Sequence, residues 1–141
     1  MTFWDSSALV AMITGEPEAQ ALLPLLSSDP LIALWWSAEV EATSAISRAW
    51  RAGVIDEGAV PRLLKKMADL IAEASQVEPS DEVKATACRL LRVHELRAAD
   101  ALHLAAAVIW ANRHPANVGF VCLDRRLRTA AAREGFNVLP G

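Results

Sequence analysis

Short apolar runs alternate with longer stretches of helical periodicity along the whole chain, and no other feature limits the fold as severely. Apolar runs without polar alternation suit strands buried on both faces, which points to a parallel sheet with helices on either side. Thr2 to Trp4 reads as the first such strand, and Ser6 or Ser7 is placed to cap a helix beginning with Ala8, Leu9 and Val10. A second helix runs from about Glu18 to Leu26, and Asp29-Pro30 ends it before a strand at Leu31 to Leu34. Ser37 is a plausible N-cap for a helix carrying Val40, Ile46 and Trp50 that stops near Gly53. Asp56 opens its partner, with Leu63, Met67, Leu70 and Ile71 at three- and four-residue spacing, so the two read as a helical hairpin.

Gln76 to Glu78 reads as a third strand, Pro79-Ser80-Asp81 starts a helix through Leu91, and an alanine-rich helix extends from near Ala98 to Ala111. Residues 119 to 123, GFVCL, form the clearest buried strand, followed by a short helix from Asp124 and a strand near Phe136 to Leu139. The expectation is an α/β fold of three layers, a mostly parallel sheet of about four or five strands flanked by about seven helices.

The 141 residues fit one domain, residues 1–141, and a composition of 53% apolar and 22% charged residues excludes a disordered chain. A formal net charge of -3 excludes binding by bulk positive charge, so any contact with nucleic acid must be local. The charge is unevenly placed. No Lys or Arg precedes Arg48, whereas Asp5, Glu16, Glu18, Asp29, Glu39 and Glu41 all do. From Arg89 onward eight arginines face only Glu95, Asp100, Asp124 and Glu134, a pattern open to a polyanion, an acidic partner or simple solvated helix faces. Cys88 and Cys122 lack the spacing of a metal or redox pair and read as buried hydrophobes. The chain has no apolar run long enough for a membrane span, and a cytoplasmic location is expected.

In open parallel sheets, sites form where the carboxyl ends of strands meet helix N-termini. Asp5 follows the first strand, Asp124 follows GFVCL, and Glu41 and Asp100 fall in early turns of helices, so four acids share one edge. Each alone suits a helix N-terminus. Together they need a proton or a cation, because two like charges ~4 Å apart repel by about 4 kcal/mol at an effective dielectric of roughly 20. An all-oxygen donor set suits Mg²⁺ or Mn²⁺, and the natural chemistry of such an ion is phosphodiester hydrolysis.

FWDSSALV at the start, WWSAEVEATSAISR around Glu41, LRAADALHLAAA around Asp100 and FVCLDRRL around Asp124 resemble, in order, the four acidic motifs of PIN-domain ribonucleases, most closely the VapC-type toxins of bacterial toxin-antitoxin pairs. The resemblance spans nearly the whole chain. It implies a metal-dependent endoribonuclease whose ligands are Asp5, Glu41, Asp100 and Asp124, with Asp5 and Asp100 binding directly and Glu41 and Asp124 partly through water. It also implies products with 5′-phosphate and 3′-hydroxyl ends, an RNA substrate, a cognate antitoxin and a homodimer. One position departs from the family pattern: Cys122 stands two residues before the fourth acid, where a Thr or Ser is common. Ser7, two after Asp5, keeps the expected hydroxyl, either to orient Asp5 or to cap its helix.

Other residues carry two readings each. Glu39 suits the helix dipole, and His103, one turn after Asp100, is either a packing residue or a neighbour of the metal. Arg97, Arg125, Arg126 and Arg128 hold RNA phosphates, meet an acidic antitoxin segment, or face solvent. At least one of Trp35 and Trp36 is expected in the core, with the other packing there too, stacking on a base or lining a dimer interface, while Trp50 and Trp110 read as packing anchors for helix faces that the sheet or a second subunit covers. Two other functional classes compete with the nuclease. A phosphoacceptor domain wants a further acid beside Asp5 and a lysine near the C-terminus, where this chain has Ser6 and no lysine beyond Lys84. A catalytically silent PIN-like module that binds RNA or protein is the alternative that four retained acids oppose.

Overall fold

The structure, a computed structural model, describes residues 1–141. Five short strands, β1 (Thr2–Trp4), β2 (Ile32–Trp35), β3 (Ser75–Val77), β4 (Gly119–Val121) and β5 (Asn137–Leu139), form one sheet in the order β3-β2-β1-β4-β5. Every pairing is parallel. Seven α-helices complete the fold: α1 (Ser6–Thr14), α2 (Ala19–Ser28), α3 (Ala38–Arg51), α4 (Val60–Ala72), α5 (Asp81–Val93), α6 (Ala98–Trp110) and α7 (Arg125–Arg133), with a 3₁₀ turn at Glu57–Ala59 leading into α4.

Strand periodicity divides the core in two. Phe3, Ala33, Trp35, Phe120 and Cys122 point to the side covered by α5, α6 and α7, whereas Trp4, Ile32, Leu34 and Val121 point to the side covered by α1 to α4. Both sides are buried, which is why these strands read as unbroken apolar runs. Helix α6 packs through alanines, with Ala101, Ala105, Ala106 and Ala107 fully buried, so its backbone lies close to its neighbours. Gly119 is required by a similar closeness: a Cβ there would meet Thr2 Cγ2 at 2.7 Å on the adjacent strand.

The chain leaves β1 to build β2 and β3 on one side and returns to build β4 and β5 on the other. The switch point therefore lies between the carboxyl ends of β1 and β4, where connections diverge and a crevice opens. Asp5 directly follows β1, and Asp124 follows β4.

Several local expectations need correction. Asp5, not Ser6 or Ser7, is the N-cap of α1, since its extended backbone lets the carboxylate accept from Ser7 N. Cys122 is buried as expected, but Cys88 lies on the exposed face of α5. Trp35 is buried and Trp36 is 52% exposed, and Trp110 packs on Phe3 at 6.0 Å between ring centroids. Trp50, at 41% exposed, is not a packing anchor within this chain. No helix is long and apolar enough to cross a membrane.

Candidate metal and phosphodiester site

Four helices begin at the switch-point edge, and each brings one acid. Asp5 is the N-cap of α1, Asp124 is the N-cap of α7, and Glu41 and Asp100 lie in the first turns of α3 and α6. All four line one groove of about 820 Å³, together with Ser6, Ser7, Arg48 and Arg97. The fold thus brings together the four acids picked from the sequence. Glu39 is exposed and in the first turn of α3, as its dipole role requires.

Asp5 is the most constrained of the four. Its Oδ2 accepts from Ser7 N at 3.1 Å and from Ser7 Oγ at 2.6 Å, and Cys122 Sγ stands 3.6 Å away. Ser7 Oγ in turn accepts from Leu123 N at 3.0 Å, so this hydroxyl orients Asp5 and ties β1 to the segment after β4. The other oxygen, Asp5 Oδ1, is buried with no hydrogen-bond partner. Such an orphan acceptor is expensive to keep unless something outside the chain satisfies it.

Glu41 is held from three sides. Ser37 Oγ donates to its Oε2 at 2.7 Å, Ser6 Oγ donates to its Oε1 at 3.3 Å, and His103 Nε2 lies 2.6 Å from Oε2. Ser37 therefore serves Glu41 instead of capping α3 with its side chain. His103 is fully buried, and its Nδ1 faces Asp5 Oδ1 at 3.6 Å, too far for a good hydrogen bond. Burial works to depress the imidazole pKa, but the Glu41 hydrogen bond and the charges of Asp5, Glu41 and Asp100 prevail and raise it. Burial likewise works to raise the Glu41 carboxyl, yet His103, Ser37 and Ser6 hold it below its ordinary value. The two shifts agree in direction, each partner favouring the charged form of the other.

His103 was readable only as a residue one helical turn from Asp100, so its role as partner of Glu41 went unassigned. It both packs and belongs to the site. Ser6 and Ser37, which read as helix caps in the sequence, serve Glu41 instead, and Arg48 joins the groove although its spacing gives no sign of it.

Asp100 carries the electrostatic signature of crowding. Burial raises its pKa, the charges of Asp5, Asp124 and Glu41 raise it further, and only His103 opposes them. Asp124 keeps Oδ1 on Leu127 N at 2.9 Å as a helix cap, which leaves Oδ2 available. Cys122 is driven the other way from a reactive thiolate: burial and the Asp5 charge push its thiol pKa far up.

No three His, Cys, Asp or Glu side chains close onto a common point as ligands in this structure. The donor chemistry nevertheless fits a hard divalent cation: oxygen donors only, mutual repulsion at Asp100, and an orphaned oxygen on Asp5. Arg97 lies on the rim of this groove, whereas Arg125 and Arg126 line a separate notch beyond Asp124. Arg128 turns inward instead, with Nη1 on the carbonyls of Cys122 (2.7 Å) and Leu139 (3.2 Å) and Nη2 on that of Pro140 (2.6 Å). It is a structural tie and is removed from the phosphate-binding candidates.

A family model described as the PIN domain matches residues 2–133. Two curated proteins, Ribonuclease VapC45 of Mycobacterium tuberculosis (strain CDC 1551 / Oshkosh) and Ribonuclease VapC49 of Mycobacterium tuberculosis (strain ATCC 25618 / H37Rv), are each 31% identical over 140 residues. Each alignment covers 99% of this chain and 95% of the relative. The crystal structure of VapBC2 from Rickettsia felis, bound to a DNA fragment from their promoter, contains a chain of similar fold. That match has a TM-score of 0.66 at 13% identity and covers 97% of this chain and 96% of the other.

Proposed function

The chain belongs to the PIN-domain family, and on that premise we propose that it is a metal-dependent endoribonuclease acting as the toxin of a toxin-antitoxin pair. One observation carries the metal-site reading: a buried, unpartnered Asp5 oxygen in a groove that Glu41, Asp100 and Asp124 also line. When bound, Mg²⁺ or Mn²⁺ supplies water activation and neutralises the charge that develops on a phosphodiester. Asp5 and Asp100 are the direct ligands in this reading, and Glu41 and Asp124 contribute partly through water.

The remaining tasks fall to the chain's own side chains. Ser7 fixes the rotation of the Asp5 carboxylate so that Oδ1 points away from its hydrogen-bonded side. His103 holds Glu41 from behind, which limits how far that carboxylate can swing. Arg48 and Arg97 are the only Lys or Arg side chains lining the groove, and they are placed to receive phosphates that flank the scissile one. Cys122, a neutral thiol, orients Asp5 weakly and is no nucleophile.

The relatives named as VapC ribonucleases support RNA as substrate, and the VapBC2 complex supports an antitoxin partner. The proposal includes residues 1–141 as one PIN domain, a homodimer, and action in the cytoplasm. A second reading, a silent module that binds RNA or protein, is favoured by one observation: the His103 ring already lies between Asp5 and Glu41.

Cleavage of a labelled structured RNA across Mg²⁺ and Mn²⁺ titrations, with EDTA and Asp5→Asn controls, separates the readings. The nuclease requires cleavage that depends on metal and disappears in the variant. Equal cleavage by both proteins would defeat the site assignment. Inertness of both, with no Mn²⁺ uptake by calorimetry, would leave the silent module.

A further inference from the structure

Helix α7 leads away from the acid groove, starting at Asp124 and presenting Arg125, Arg126, Thr129 and Arg133 along one side. These residues, with His94 and Glu95 from the connection between α5 and α6, line a notch of about 240 Å³. His94 in that lining is held by a clamp across the two helix ends. Glu134 Oε2 lies 2.7 Å from His94 Nε2, and Glu134 Oε1 accepts from Arg89 Nη2 at 2.8 Å. The clamp side chains of His94 and Glu134 are only 5% and 15% exposed.

The arginines of the notch are not similarly engaged. Arg126 reaches Glu95 at 3.6 Å in a solvent-exposed pair, a geometry that contributes little, and Arg125 and Arg133 form no ion pair. Three guanidiniums thus face a single acid. The notch is too small and too polar for a typical small-molecule pocket, and among its linings only Ala130 is apolar, so it offers no anchor for a peptide segment. Guanidinium forks match the paired oxygens of a phosphate. Arg125 and Arg133 are separated by about 12 Å of helix rise, enough to span successive phosphates of an extended strand.

Resting on the nuclease reading above, we propose that this notch binds the backbone phosphates of single-stranded RNA on one side of the scissile bond. A strand with one phosphate at the acids would leave the groove past Asp124, meet Arg125 at once and run along α7 to Arg133.

The test is fluorescence anisotropy of a labelled single-stranded RNA in EDTA, over a KCl series, so that binding is read without cleavage. The proteins are wild type, the double variant Arg125→Gln/Arg133→Gln, and Arg62→Gln on the opposite side of the sheet. The double variant should bind about tenfold to a hundredfold more weakly at low salt. The slope of log affinity against log salt should fall by about 1.4, or about 0.7 per lost phosphate contact on a single strand. Arg62→Gln should match wild type in both. Arg125→Lys/Arg133→Lys, which keeps the charge, should retain most of the slope and guards against a folding artefact in the glutamine variant. Wild-type affinity and slope in the double variant would overturn the proposal, as would RNA binding that none of the proteins shows. So would unchanged RNA binding with lost affinity for a polyglutamate peptide, which would assign the notch to an acidic protein segment. Weakened RNA binding in the double variant of a protein that never cleaves RNA would instead uphold the notch and defeat the nuclease reading.

Discussion

His103 has no solvent contact, yet its imidazole sits between two carboxylates, and a buried charge is tolerated only where its partners are close. The 2.6 Å contact to Glu41 meets that condition, while the 3.6 Å gap to Asp5 leaves both Nδ1 and Oδ1 unpartnered. His103→Leu would fill much of the space but strand the Glu41 carboxylate, and we expect it to lower the unfolding free energy by roughly 2 kcal/mol. His103→Gln, which keeps a donor within reach of Glu41, should recover part of that loss. Urea denaturation in EDTA measures both, and equal stability of the two variants would remove the pairing with Glu41 from the account. The residue-scale lesson concerns distance along the chain. Asp5, Asp100 and Asp124 were legible because each stands at the end of a strand or the start of a helix. The partnership of His103 with Glu41 spans 62 positions and exists only once α3 and α6 are packed.

At the scale of elements, the types and order of the helices and strands were legible from apolar runs and capping residues, but their edges were not. The second strand begins at Ile32, not Leu31, because ladder pairing with β1 sets its register and leaves Leu31 54% exposed. GFVCL pairs only through Val121, although Cys122 and Leu123 are equally apolar in sequence. Arg128 was indistinguishable from its neighbours until its three carbonyl partners came into place at the ends of β4 and β5. The clamp at Glu134 shows how such links bind elements. Burial works to raise the Glu134 carboxyl, but hydrogen bonds and charge from Arg89 and His94 hold it below its ordinary 4.5. A lowered folded-state value means that the stabilisation is present above the unfolded value and is lost as pH falls through the folded one. Glu134→Gln should therefore melt below wild type at neutral pH, and the difference should shrink as the pH is lowered beneath about 4.5. A constant difference across that range would show that the clamp acts through shape and not through charge.

For the whole molecule, the organising fact is that one sheet edge gathers like charges, and two of the three buried polar atoms without a partner, Asp5 Oδ1 and His103 Nδ1, lie there. The topology places β1 and β4 side by side, four helix N-termini follow, and the acids they carry meet in one groove. Helix dipoles favour each acid separately but cannot remove the repulsion among them: burial first, and then the charges of Asp5, Asp124 and Glu41, raise the pKa of Asp100. Stability and site chemistry are therefore opposed without a cation. Asp100→Asn removes one charge at nearly constant volume, so in EDTA this variant should melt higher than wild type. Mn²⁺ should reverse the order. At a concentration about a hundredfold above its dissociation constant, a ligand specific to the folded state contributes about 2.7 kcal/mol, which for a chain of this length corresponds to roughly 5 to 10 °C in melting temperature. Wild type should gain that increment and Asp100→Asn most of it should lose, so the two melting curves cross as Mn²⁺ is added. If the variant melts lower than wild type in EDTA, the Asp100 carboxylate is stabilising in its own right and the crowded-charge account fails. If instead it melts higher but responds to Mn²⁺ as wild type does, the ion is held without Asp100, and the ligand set reduces to Asp5 with Glu41 and Asp124.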